Sequence, residues 1–192
     1  MSGHGTGHGT GHGTWLRIIL FTLLPTPKIE IDSVHDYKLS WKRLQCAAIE
    51  GEPRDLMFLL IHNKLPVPER LFRIGTRADP YCSHCPDAVV GDIVHFFCDC
   101  QRTKECWAWT RLKISRWCQQ DLRASNWELL NFFIPNSQLE QEIVWLLSSY
   151  IFYVWKQCQG KNRTVVVEKF FGFLSFKYKA ASLLLRQNLD LS

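Results

Sequence analysis

The sequence predicts a mainly α-helical fold that carries a small cysteine-rich knuckle and ends in a C-terminal helical hairpin. Three observations lead there. Apolar residues recur at helical spacing in most segments beyond residue 40, few stretches alternate as strands do, and "PYCSHCPDAVVGDIVHFFCDC" crowds four cysteines and two histidines into residues 80–100. The 192-residue chain is 46 % hydrophobic and 13 % aromatic with eight tryptophans, enough to build a real core.

Taken in order, residues 1–14 repeat Gly-His-Gly-Thr with nothing to pack, so disorder is expected there. Residues 15–40 read as a linker or a truncated element. An apolar run from Trp15 meets "PTPK", whose two prolines break any helix, as if the chain began inside a longer ancestral domain. That run has no basic leader or small-residue cleavage site, and its ten or so apolar residues fall short of the roughly 20 that span a bilayer. The expected setting is therefore intracellular, in nucleus or cytoplasm, with no secretion and no membrane.

Residues 41–123 are expected to form a metal-binding domain and residues 124–192 a helical segment. "SWKRLQCAAI" puts Trp41, Leu44, Ala48 and Ile49 near one helix face, with Ser40 as its N-cap. "RDLMFLLIHNKL" follows as an apolar helix entered through Pro53. A shorter helix starts at Pro68, turns Leu71 and Ile74 inward and stops at Gly75. "VVGDIVHFF" has room for a short hairpin. One helix is then predicted over 102–123, another over Leu139–Cys158 and a last one over Thr164–Arg186, with Gly172 as its weak point.

The chemistry lies in the knuckle. Cys82 and Cys85 have the two-residue gap that lets both thiolates reach one ion, and the second half offers His95, Cys98 and Cys100. Three thiolates and an imidazole are a standard tetrahedral set for one structural zinc. Two registers fit, with Cys98 or Cys100 as the fourth ligand beside Cys82, Cys85 and His95. Disulfides suit a secreted chain, and nothing marks this one as secreted. Redox chemistry would need a Cys-x2-Cys pair opening a helix in a β/α setting, whereas Pro86 and Asp87 follow this pair. His84, between the two thiols, is expected at the surface.

The stretch from "HNKLP" (62–66) through "ERLFRIG" (69–75), Cys82-x2-Cys85 and His95-x4-Cys100 to Trp107, seven residues beyond Cys100, resembles the zinc-binding region that follows the reverse transcriptase of LINE-type, non-LTR retrotransposons. The strong likeness covers about residues 41–110. It implies the Cys100 register, leaves Cys98 as a neighbour, and lets Asp92 stand where the family carries an acidic residue before the histidine.

Catalytic motifs are missing. The sequence has no Tyr-x-Asp-Asp and no Asp-Asp pair, no Gly-x4-Gly-Lys-Ser/Thr loop and no His-Glu-x2-His. A zinc with four protein ligands keeps no position for water. The expectation is a non-enzyme. The net charge of +5 permits an anionic partner. If 102–123 is one helix, Arg102, Trp109, Lys113, Arg116 and Arg123 share a side, where a ring can stack on a base and cations can meet phosphates of RNA or single-stranded DNA. Arg70 and Arg73, with Arg77, offer a second cationic patch. The competing expectations are a structural remnant that binds nothing and a module that associates, with itself or another protein, through its aromatic-rich C-terminal helices.

Overall fold

In the computed structural model, residues 37–46, 49, 51–119, 122–134, 139–159 and 165–177 are described. The expected repeat at 1–14, most of the expected linker and the end of the last expected helix lie outside them.

Helix α1 (Tyr37–Cys46) starts three residues before the expected cap. Ser40 therefore sits inside it, buried, with its hydroxyl donating to the Asn131 carbonyl at 2.6 Å. Helix α2 (Glu52–Ile61) opens at Gly51 with Pro53 in its first turn, where a missing N–H costs nothing. Helix α3 (Pro68–Arg73) begins on its own proline, and Gly75 closes it at φ +73°, a conformation that favours glycine. Leu71 and Ile74 are half-buried, while Arg70 is the buried side chain of that helix.

The second half of the knuckle is a π turn (His95–Asp99), followed by helices α4 (Lys104–Cys118), α5 (Asn126–Leu130), α6 (Glu140–Cys158) and α7 (Val167–Lys177). "VVGDIVHFF" does not form a hairpin of its own. Only Val90 pairs, by one antiparallel bridge to Tyr81, and the chain is helical from Ile93. Helix α4 stops at Cys118 rather than Arg123, because Gln119 takes a left-handed conformation (φ 52°). Arg111 secures the departing chain by donating to the Leu122 and Ala124 carbonyls at 3.0 and 2.8 Å.

Among the described helices, α6 is the central one. From Ile143 to Trp155 every residue but Trp145 is buried, which explains a helix apolar on all sides. It packs against α1, α2, α4 and α7. One core runs from Leu44 and Leu56 through Phe97, Trp107 and Ile114 to Leu147, Tyr150 and Phe170. Residues expected for the metal-binding domain and for the C-terminal segment thus share a core, with α6 and α7 as the helical hairpin. Ion pairs fasten its edges, Arg43 to Glu140 and Lys156 to Glu52, both at 2.5 Å. No helix among the described residues is long and apolar enough to cross a membrane.

Candidate metal centre

The approach to the knuckle is held by short polar contacts. The Asp79 carboxylate accepts the Tyr81 N–H at 3.0 Å, and Arg77 donates to the Tyr81 carbonyl at 2.9 Å. Cys82 N–H then bonds the Val89 carbonyl and Gly91 N–H the Pro80 carbonyl, each at 2.8 Å, so the chain leaves Cys82 and returns at Gly91 as a closed loop. Gly91 lies against the Pro68 ring, where a Cβ would come within 2.8 Å of Cγ. That close approach seats the knuckle on α3.

Asp92 caps the next turn, its carboxylate accepting the His95 N–H at 2.7 Å. The turn closes through Cys100 N–H to the His95 carbonyl at 2.8 Å, five residues back. Residues five apart on an α-helix point about 140° away from each other. The wider π turn brings His95 and Cys100 round to one side, which is what a His-x4-Cys ligand pair requires. Cys98 points the other way, into the core, and is 2 % exposed.

The sulfurs of Cys82, Cys85 and Cys100 and a ring nitrogen of His95 all lie within 4.8 Å of one another. Cys100 Sγ is 3.8 Å from Cys82 Sγ and 3.9 Å from Cys85 Sγ, and Cys85 Sγ is 3.4 Å from His95 Nε2. For zinc bonds of about 2.3 Å to sulfur and 2.0–2.1 Å to nitrogen, a tetrahedron has edges of about 3.8 Å (S···S) and 3.6 Å (S···N). The donor set fits one structural zinc ion in composition and in size. His95 and Cys100 are buried, Cys82 and Cys85 half-buried.

Without a cation the Cys100 thiol is poorly placed to ionise. Burial pushes the Cys100 thiol up to about 12; the Arg102 backbone N–H opposes this, and the neighbouring Cys82 and Cys85 reinforce it. The Cys98 thiol is raised further, chiefly by burial and then by Asp99, and acts as an apolar group. Cys158, at the end of α6, is also a half-buried thiol raised by burial.

The cations expected to bind nucleic acid do not form one exposed face. Helix α4 packs against α6 on one side and α7 on another, so much of its supposed outer side is covered. Trp109 is half-buried with its ring edge-on to Phe171 (4.5 Å) and Phe170 (6.0 Å). Lys113 is 3 % exposed, its amine 5.7 Å from the Trp117 ring centre, and burial, then Arg116, lowers its pKa. Arg116 and Arg123 are exposed. Arg70 is 4 % exposed and donates to the Asn63 carbonyl at 3.2 Å, and Arg73 pairs with Glu69 on its own helix. Arg102 is half-buried beside His84. The aromatic density of 167–177 was the available signal, since so apolar a helix had to cover something.

Trp107, buried, sets its indole N–H on Asn126 Oδ1 at 2.9 Å and its ring 5.3 Å from Tyr150. Tyr150, which the sequence did not single out, donates its phenol to the Phe97 carbonyl inside the π turn.

Residues 28–107 match the family model described as zinc-binding in reverse transcriptase, and the matched stretch contains all four donors. This part of the chain is similar to that zinc-binding region. No curated protein and no solved structure matches the chain.

Proposed function

We propose that this chain is a non-catalytic, retrotransposon-derived module of the LINE type, in which one structural zinc organises a helical domain that binds RNA or single-stranded DNA with little sequence preference inside the cell. The observation that carries the reading is the tetrahedral Cys82, Cys85, His95 and Cys100 set within a stretch similar to zinc-binding in reverse transcriptase. Four protein donors leave the ion no position for water, so its role is structural. A reducing compartment suits thiolate ligands, which oxidation would remove.

Support for a nucleic-acid partner comes from the positive charge of the chain and from solvent-facing cations and rings. Arg116 and Arg123 are exposed, and Tyr81 and Phe72 present exposed rings close to Arg77 and Arg73. Rings of this kind stack on unpaired bases while guanidinium groups meet phosphates. The C-terminal helices are weaker candidates for a partner surface, because α6 spends its apolar surface inside the chain.

The test is fluorescence anisotropy of a labelled single-stranded oligonucleotide against salt, for wild type and for Arg116→Glu with Arg123→Glu. Affinity should fall steeply as salt rises. The double variant should bind weakly, with a log–log salt slope shallower by about one for each phosphate it no longer neutralises. Absence of binding at low salt, or binding indifferent to salt, would refute the reading.

A further inference from the structure

Arg102 touches both halves of the metal site. Its backbone N–H bonds the Cys100 thiol, and its guanidinium Nη1 donates to His84 Nε2 at 2.7 Å. His84 stands between Cys82 and Cys85, and its own backbone N–H points at Cys82 Sγ, 3.5 Å away. One residue therefore ties the Cys82–Cys85 loop to Cys100, eighteen positions further along the chain. The second terminal nitrogen, Nη2, is closed off from solvent without a hydrogen-bond partner. Among the described residues no carboxylate lies within ion-pair reach of Arg102.

A half-enclosed guanidinium needs negative charge close by to offset its lost hydration. The knuckle would supply it: three thiolates on a divalent ion would leave the centre with one net negative charge, and Arg102 holds its guanidinium on His84, inside the loop that carries two of those thiolates. We infer that Arg102 is a positioning residue of the zinc centre, bracing the Cys82–Cys85 loop through His84 and balancing the charge of the thiolate cluster. This takes Arg102 out of the set that would contact phosphates. The inference rests on the zinc reading of the site.

The test uses the full chain under reducing conditions, with zinc affinity read by chelator competition and cobalt(II) as a spectroscopic probe. Arg102→Leu should bind zinc about tenfold to a hundredfold more weakly, the range seen when a partner behind metal ligands is removed. Arg102→Lys, which keeps the charge but not the fork, should fall between. His84→Ala should weaken zinc, and adding it to Arg102→Leu should cost little more, since both break the same brace. Removing the positive charge should also shift the thiolate-to-cobalt charge-transfer band to lower energy in Arg102→Leu but not in Arg102→Lys, a change that loosened packing alone would not give. Arg54→Leu, exposed on α2, should leave both readouts unchanged.

Wild-type zinc affinity in Arg102→Leu overturns the inference. Should that variant fail to fold, Arg102→Lys and His84→Ala decide, and wild-type affinity in both overturns it equally. A wild type that folds yet takes up no zinc or cobalt would instead refute the zinc reading itself.

Discussion

Cys98 and Cys100 are two residues apart and occupy opposite environments. Cys100 joins the tetrahedron, while Cys98 is a core group beside Phe97. Cys100→Ser should therefore lose the zinc. Cys98→Ser should keep it and instead cost the fold about 1–3 kcal/mol, the penalty for a hydroxyl in apolar surroundings. Zinc per chain and urea unfolding, measured on both variants, separate the two effects. A pH dependence follows from the same site. In the metal-free fold the Cys100 thiol is held up to about 12, so it is protonated at neutral pH and the entering zinc must displace that proton. Affinity should rise about tenfold per pH unit for each proton displaced, which competition titrations across the neutral range would read. The spacing of the cysteines left two registers open because the deciding feature is a backbone one. The π turn that carries His95 and Cys100 to one side has no signature in residue spacing. Nor could periodicity on α4 show that Lys113 and Trp109 would be covered, since that depends on where α7 packs.

Among the elements, α6 was legible almost to the residue, as a long helix whose apolar positions leave no polar face. The end of α4 was not, because the polar run after Cys118 continues a plausible helix. The helix ends at the left-handed Gln119, and Arg111 holds the departing chain by reaching forward to the Leu122 and Ala124 carbonyls, a contact made only once the chain has turned. The hairpin suggested for "VVGDIVHFF" gave way to Asp92, whose carboxylate caps the turn and draws the chain into helix at once. Just before it, Gly91 joins knuckle to α3 in a space filled by the Pro68 ring. A proline ring has little freedom to yield, so Gly91→Ala should force the two apart at a cost of about 1–3 kcal/mol, as overpacking does elsewhere. A lowered melting temperature together with weaker zinc binding is the expected pair of readouts. An unchanged melting temperature would mean that the contact relaxes freely.

Across the whole molecule, the metal site and the aromatic core are two sides of one turn. His95 and Cys100 face the ion, Phe97 and Cys98 face the core, and the Tyr150 phenol on α6 is bonded to the carbonyl of Phe97. The two ligands cannot swing away from the ion unless the turn lifts Phe97 out of its packing and breaks that bond. The exchange rate of zinc should then be set by how often the turn opens, and not by how avidly a competitor pulls. With a strong chelator in excess, release should be first order and independent of chelator concentration. Tyr150→Phe, which leaves the Phe97 carbonyl without its donor, should speed it about tenfold, the kinetic equivalent of the 1–2 kcal/mol such a change costs. Isotope exchange followed in time would show the core acting as the clock of the metal.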